Sequence, residues 1–137
     1  MKLSTKSRYG TRLMLDLAKH YSNGYIQLKD IAARENISLK YLEQIMIPLK
    51  KAGYVKSVRG AGGGYRLARS PEKMTVGEIV ALLEGGADLT ECSKRPKSCE
   101  RSDHCVTRDL WIEIAQTVYE KLNAITLSDL LASGKVL

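Results

Sequence analysis

The chain has 137 residues, of which 44% are hydrophobic and 27% are charged, as in ordinary globular proteins. This length predicts one compact unit with at most an appended helix, and the composition excludes a disordered tail. No apolar run approaches the roughly 20 residues that span a bilayer, and the first residues lack the apolar stretch of a signal peptide. We therefore expect a cytoplasmic protein with no membrane partner rather than a secreted disulfide scaffold.

The net charge of +7 is concentrated in the first half of the chain. Residues 1–70 carry 14 lysines and arginines against 4 acidic residues, whereas residues 71–137 carry 8 against 11. Clustered basic side chains release counterions from nucleic-acid phosphates, so the first half is expected to meet a polyanion. A solvated basic face without a partner is the alternative interpretation of the charge alone.

Three helices are predicted before residue 54. A helix over residues 3–22 is followed by a short helix over residues 28–35, and a third begins at the Ser38 cap and ends at residue 53. Pro48 lies inside the third helix, where a proline removes a hydrogen-bond donor, so we expect a bend or a loosened last turn there. Two short helices joined by a tight turn, the second with a serine cap, are typical of a helix-turn-helix.

A β-hairpin with a basic, glycine-rich tip is predicted next. Residues 54–58 and 65–68 are the predicted strands, and the sequence RGAGGG over residues 59–64 connects them. Glycines permit positive φ and close approach to a phosphate or a minor groove, while Arg59 supplies positive charge. A nucleotide-binding phosphate loop is disfavoured, because no Gly-Lys-Ser/Thr follows and no helix begins at residue 65. The hairpin therefore predicts the wing of a winged helix.

The second half of the chain is predicted to contain two helices separated by an irregular segment, with a short helix at the end. Thr75 caps the helix over residues 76–85, residues 86–104 are polar and irregular, and a long helix covers residues 105–124. Thr126 caps the last short helix. The long helix carries an apolar side chain at every fourth position, more than a winged helix of this size needs for its own core: Leu110, Ile114, Val118 and Leu122.

Three cysteines, Cys92, Cys99 and Cys105, fall within 14 residues of a polar stretch. An odd number in a reducing compartment argues against a structural disulfide. Structural zinc usually binds cysteine pairs two to four residues apart, so the spacers of six and five residues fit zinc poorly. An open loop of this kind favours an iron–sulfur cluster, and the neighbouring lysines and arginines would lower the thiol pKa values. The spacing leaves zinc and redox-active thiols open as alternatives.

The sequence contains no pattern of residues that indicates catalysis. Neither His20 nor His104 is part of a nucleophile elbow or a Ser-His-Asp pattern. The acidic residues are scattered over helix surfaces and indicate no carboxylate pair for acid–base chemistry. The sequence therefore predicts that the chain is not an enzyme.

Several strings resemble one known family in order along nearly the whole chain: KLSTKSRYG, ISLKYLEQIMIPLKKAGYVKSVRGAGGGYRL, TVGEIVALLEG, three cysteines before LW, and ITLSDLL. The chain resembles the Rrf-two family of winged-helix transcriptional regulators, with a pattern nearest to its iron–sulfur cluster regulators. The resemblance implies a mainly α fold with a small β-hairpin, a winged helix-turn-helix plus a long C-terminal dimerisation helix. It divides the chain into a DNA-binding domain (1–85), a cluster-binding loop (86–105), and a dimerisation helix with a short final helix (106–137).

The resemblance also implies a homodimer on a double-stranded DNA operator, with the third helix in the major groove and the wing arginine in the minor groove. Lys40 stands where the cluster regulators have a small polar residue, and we expect it to contact a phosphate. Glutamine can pair with adenine, and glutamate can accept from cytosine. For Tyr41, a position flanking the core is the alternative. The implied DNA-contacting residues, besides Lys40, are Thr5, Arg8, Ser38, Tyr41, Glu43, Gln44, Arg59 and Gly60.

By the same resemblance the three cysteines ligate an iron–sulfur cluster, but the chain departs from the family in two respects. The first spacer has six residues where the cluster regulators have five. Arg108 occupies the position of their histidine ligand, and Arg8 occupies the position of the aspartate ligand of the nitric-oxide sensors. The fourth ligand is left to Asp103, His104, Glu100 or an outside molecule, and the cluster type, 2Fe-2S or 4Fe-4S, stays open.

The sequence therefore predicts an iron–sulfur-cluster-dependent, DNA-binding transcriptional regulator. We expect a repressor of cluster-assembly genes that senses cluster supply or redox state through the three cysteines. A nitric-oxide or cysteine-metabolism sensor of the same family, or a DNA-binding protein with a structural zinc, are the alternatives.

Overall fold

The computed structural model describes residues 2–134, so the last three residues of the predicted C-terminal segment lie outside the described residues. Over the described range the chain forms seven α-helices and one two-stranded antiparallel hairpin, and the predicted fold class is confirmed. The elements are α1 (Thr5–Lys19), α2 (Leu28–Glu35), α3 (Leu39–Lys51), β1 (Val55–Val58), β2 (Gly64–Leu67), α4 (Val76–Glu84), α5 (Glu91–Lys94), α6 (Val106–Asn123) and α7 (Leu127–Leu131).

Side-chain caps define the helix starts in the first half. The Ser4 hydroxyl accepts a hydrogen bond from the Ser7 amide, and the Ser38 hydroxyl accepts one from the Tyr41 amide at 3.1 Å. The first helix ends at Lys19 rather than at residue 22, because the chain tightens into a 3-10 turn there. The predicted Ser38 cap is therefore present, and α1 is shorter than predicted at both ends.

The third helix continues past Pro48 to Lys51, so of the two expected effects the loosened last turn is not found. Proline has no N–H, so the carbonyl of Gln44 loses its helical donor. The next bond is intact, since the Ala52 amide donates to the Pro48 carbonyl at 3.0 Å. Gly53 then adopts a φ of 78°, and the Tyr54 amide bonds back to the Leu49 carbonyl.

The hairpin pairs β1 with β2 from Val55 opposite Leu67 to Val58 opposite Gly64. Ile26 extends it on the other side of β2 through two 2.8 Å hydrogen bonds with Tyr65. Gly64 has a φ of 143°, and a Cβ there would collide with the Ile26 carbonyl. The wing is thereby attached to the segment between α1 and α2.

One core unites α1 to α4, the hairpin and the C-terminal helix α7. The Leu127 amide donates to the Met74 carbonyl at 2.9 Å, and the Leu127 side chain is fully buried with residues of α1. None of the helices within residues 2–134 is both long and apolar enough to cross a bilayer. The largest fully buried side chains are Leu13, Met14, Leu17, Ile31, Leu42, Ile45, Leu49, Leu67, Met74, Ile79, Val80 and Leu127.

The segment over residues 86–104, expected to be irregular, contains the short helix α5. The Thr90 hydroxyl accepts from the Ser93 amide at 3.3 Å and so caps its start. Two 3-10 turns, Pro96–Ser98 and Ser102–His104, follow before α6. Cys92 therefore lies on a helix. The sequence did not predict this helix, because an element of four residues is too short to show a periodic pattern.

Candidate functional site

The N-terminal half of α1 lies against the first turn of α3. The rings of Tyr9 and Tyr41 meet edge to face, with centroids 5.8 Å apart and planes at 85°. The guanidinium of Arg8 lies 5.8 Å from the Tyr9 ring and donates to the Thr5 hydroxyl at 3.1 Å. Two predicted phosphate contacts on α1, Thr5 and Arg8, are thus adjacent to each other and near the start of α3.

The face of α3 that points away from the core carries the predicted recognition residues. Lys40, Glu43 and Gln44 are exposed, whereas Leu42 and Ile45 are fully buried. This division follows from the helical repeat, which places residues three and four apart on one face. Ser38 is also exposed, at the helix start.

Tyr41 departs from this exposed set. Its side chain is half-buried, packed against the core and in contact with Tyr9. The alternative position that flanks the core is therefore the one its ring occupies. Its packing orients α3 relative to α1.

The tip of the hairpin presents Arg59 and Gly60 to solvent. Gly60 has a φ of 108°, which a residue with a side chain adopts only with strain, and its carbonyl accepts from the Gly63 amide at 3.0 Å. This turn places the cation of Arg59 at an exposed, compact tip. Such a tip fits a narrow, negatively charged groove.

A buried carboxylate that the sequence analysis missed joins α1 to α2. The side chain of Asp16 is 3% exposed and accepts two hydrogen bonds from Arg34, at 2.7 and 2.9 Å. The bond to Asp16 raises the pKa of Arg34. Arg12 forms a second link, to Glu35 at 3.0 Å. Two arginines of the basic half thus hold α1 and α2 together. In the sequence, the feature that could have indicated this buried carboxylate is an aspartate between apolar residues of α1.

A second carboxylate ties the start of α1 to the end of α4. Glu84 accepts from the buried Ser7 hydroxyl at 2.6 Å and from the Ser4 amide at 2.9 Å. The bond from Ser7, assisted by Ser4, lowers the pKa of Glu84. The position of Thr5 and Arg8 therefore depends on the end of α4.

This contact predicts a defined loss of stability in acid. The pKa of Glu84 is lower in the folded state than its ordinary value of 4.5. The stabilisation that its ionised form provides is therefore complete above pH 4.5 and is lost as the pH falls through the lowered pKa. We expect Glu84→Gln to lower the free energy of unfolding at pH 7 by about 1 kcal/mol or less and to differ little from the wild type at pH 3. Urea unfolding at both pH values measures this, with Glu72→Gln as control; an equal difference at both would contradict it.

The cysteine segment is hydrogen-bonded to the same end of α4. Lys94 on α5 donates to the Gly85 carbonyl at 2.9 Å, and Tyr119 on α6 donates to the Gly86 carbonyl at 3.4 Å. Arg108 donates from Nε to the Cys92 carbonyl at 3.1 Å and so links α5 to α6. The residue that replaces the expected histidine ligand therefore holds the backbone beside the first cysteine.

The three cysteines are free thiols: Cys92 and Cys105 are half-buried and Cys99 is exposed. A hydrogen bond with the Thr107 hydroxyl at 3.1 Å, assisted by the amide of Arg108, lowers the pKa of the Cys105 thiol. Thiolate is the form that binds metals. Within residues 2–134, no group of three or more His, Cys, Asp or Glu side chains is close enough to hold a metal ion.

The chemistry of these donors fits an iron–sulfur cluster, since three accessible thiols lie within one short segment. Their arrangement does not preform the site, and metal sites commonly order only on binding. Beside Cys105, a shallow groove at the start of α6 is lined by Glu100, Arg101 and His104. Two of the four predicted alternatives for a fourth ligand therefore border this groove, while Asp103 lies exposed in the preceding 3-10 turn.

An apolar face of α6 remains exposed. Val106 is 81% exposed, and Leu110 and Trp111 are 46% and 40% exposed. Ala115, the buried residue of this helix, belongs to the side that packs on α4. Of the predicted apolar stripe, Leu110 is exposed, whereas Ile114, Val118 and Leu122 are half-buried.

Known proteins share this architecture over nearly the whole chain. The Rrf2 family, described as iron-dependent transcriptional regulator, matches residues 3–133. Protein rrf2 of Nitratidesulfovibrio vulgaris is 48% identical over 136 residues, which are 99% of this chain and 91% of that protein. Among solved structures, T. potens IscR has a TM-score of 0.81 and 43% identity, with 98% of this chain and 89% of that chain covered.

A second solved structure is almost equally similar. CymR (YrzC), the global cysteine regulator of B. subtilis, has a TM-score of 0.80 and 42% identity, with 98% of this chain and 99% of that chain covered. Identity above 40% over the full length is far beyond what a shared fold alone would give. The chain therefore belongs to the Rrf2 family of DNA-binding transcriptional regulators, and it is not an enzyme.

Proposed function

We propose that the protein is a homodimeric, cytoplasmic regulator that represses cluster-assembly genes and whose operator binding depends on an iron–sulfur cluster. The observation that carries this proposal is the set of free cysteines, Cys92, Cys99 and Cys105, in a segment hydrogen-bonded to the end of α4. Residues 1–85 would bind DNA, residues 86–105 would hold the cluster, and residues 106–137 would dimerise.

The exposed surfaces of α1, α3 and the wing support a DNA-binding role. The exposed Lys40, Glu43 and Gln44 suit a helix that enters a major groove, and Arg59 suits a minor groove. Thr5 and Arg8 lie beside α3, where phosphates would flank the groove. In this proposal Gln44 and Glu43 read base edges, and the basic residues provide the salt-dependent affinity.

The exposed apolar residues of α6 support a homodimer. Val106, Leu110 and Trp111 are exposed on α6, and a second copy of the same helix would cover them symmetrically. A two-fold dimer presents two copies of α3 to successive turns of the same groove. The operator would then contain two related half-sites.

Cys92, Cys99 and Cys105 would provide three of the cluster's ligands, and His104 or Glu100 the fourth. When bound, the cluster supplies a sensor whose assembly or loss reports iron–sulfur supply or oxidation. Ligation would require the three thiols to converge, so residues 90–107 would rearrange around α5. Arg101 and Lys94 would offset negative charge at the site.

A continuous set of contacts links this rearrangement to the DNA-binding surface. Movement of α5 would displace Lys94 and, through its hydrogen bond, the carbonyl of Gly85. The adjacent Glu84 accepts hydrogen bonds from Ser4 and Ser7 at the start of α1. Thr5 and Arg8 would shift with them. The two states would differ in the position of α1 relative to α3, which changes operator affinity or operator preference.

Cysteine-responsive regulation without a cluster is the second candidate. It is favoured by the near-equal similarity to CymR and by the absence of a preformed metal site within the described residues. In that case the free thiols would act by oxidation or by binding zinc. The two candidates differ in colour, iron content and acid-labile sulfide.

The deciding experiment is purification without oxygen, followed by visible absorption and assays of iron and sulfide. We expect a brown protein with equal iron and sulfide, two of each per chain for 2Fe-2S or four for 4Fe-4S. The Cys92→Ala, Cys99→Ala, Cys105→Ala triple variant, prepared in parallel, should be colourless. A colourless wild type after reconstitution with iron and sulfide would remove the cluster and leave the thiol or zinc candidate.

A further inference from the structure

The exposed face of α3 contains one large apolar side chain among polar ones. Ile47 is 67% exposed in the middle of the helix. It shares its face with Gln44, one turn earlier, and with Lys51, one turn later. The opposite face is already filled, since Ile45, Met46 and Leu49 are buried, so Ile47 is not needed for the core.

The charge around Ile47 indicates what covers it. Lys40, Lys50 and Lys51 are exposed on the same helix against one exposed carboxylate, Glu43, and this positive balance favours a polyanion over an apolar protein surface. The exposed apolar residues of α6 lie on a different element, to which the proposed function assigns dimerisation. A double-stranded DNA that receives Gln44 in its major groove would therefore also cover Ile47.

The position of Ile47 relative to Gln44 along α3 indicates which group of the DNA it would contact. A helix rises about 1.5 Å per residue, so Ile47 lies about 4.5 Å beyond Gln44 along the axis of α3, close enough to meet a base pair next to the one that Gln44 contacts. Isoleucine makes no hydrogen bonds. The apolar group that a base pair presents in the major groove is the 5-methyl group of thymine.

We propose that Ile47 is a specificity-determining residue that contacts a thymine methyl group one base-pair step from the base contacted by Gln44. This inference rests on the proposed DNA-binding role of α3 and adds a base preference to it. Burial of the thymine methyl group alone predicts discrimination of about fourfold against a base that lacks it.

The test uses the full-length protein and duplexes that it selects from a random library. Each thymine of the selected duplex is replaced in turn by deoxyuridine, in both half-sites, and Kd is measured by fluorescence anisotropy. We expect one position at which deoxyuridine weakens the wild type about fourfold per half-site and leaves Ile47→Ala unaffected. Gln44→Ala and Val58→Ala, which alters an exposed apolar residue of the wing, should both keep the deoxyuridine penalty.

The failures of the two proposals are distinguishable. If no duplex is selected, or if binding does not weaken with salt, the DNA-binding role of α3 fails and the role of Ile47 fails with it. If duplexes are selected but Ile47→Ala keeps the full deoxyuridine penalty, only the role of Ile47 is overturned. Because Ile47 is exposed, the melting temperature of Ile47→Ala should equal that of the wild type, which verifies that folding is unaffected.

Discussion

The variant Gln44→Ala should bind the operator about 5- to 150-fold more weakly than the wild type, equivalent to about 1–3 kcal/mol. Gln44 is exposed on the surface of α3, away from the buried Leu42 and Ile45. Its amide can donate to and accept from one adenine at once, and alanine leaves that base edge without a partner. The loss should be specific to one base pair in each half-site. Kd values for the selected duplex and for all single base-pair changes measure it.

Lys40→Ala is the matched control on the same helix. If Lys40 contacts a phosphate, its loss weakens binding to all duplexes by a similar factor and lowers the slope of log K against log salt by about one. Gln44→Ala should leave that slope unchanged. A uniform loss for Gln44→Ala, with no base pair relaxed, would contradict base recognition by this residue.

Replacement of Cys92 by alanine should abolish the visible absorption and change operator affinity by about 5- to 150-fold, or change which operator is preferred. Cys92 lies on α5, between the Thr90 cap and the Lys94 contact with the end of α4. Loss of this ligand prevents the segment from taking its ligated arrangement, so α1 stays in one of its two positions. Iron content, visible spectra and Kd values for the operator, all obtained without oxygen, measure the effect.

Ser98→Ala provides the control, because it alters an exposed side chain next to Cys99 and removes no thiol. It should retain iron, colour and operator affinity. If Cys92→Ala loses iron but keeps both the affinity and the operator preference of the wild type, then the cluster does not control DNA binding. In that case the contacts of Lys94 with Gly85 and of Glu84 with Ser4 and Ser7 would have only a structural role.

Local signals in the sequence were sufficient for the helix-turn-helix, the hairpin and the long helix. The Ser4 and Ser38 caps, the apolar repeats and the glycines of the wing all act within about four residues, so a pattern reveals them directly. The resemblance to the family was visible for the same reason. The loosened last turn expected after Pro48 did not follow, because the Ala52 amide closes that turn onto the Pro48 carbonyl and α3 continues to Lys51.

The sequence by itself determined the family, the fold class and the spacing of the three cysteines. Only the tertiary structure decided which charges are structural and which surfaces are exposed: Asp16 holds Arg34 across 18 positions, and Glu84 holds Ser7 across 77. It also revealed that α5 is hydrogen-bonded to the end of α4 and that Ile47 is exposed. Such contacts join segments far apart in the chain, and their geometry depends on how the whole core packs rather than on neighbouring residues.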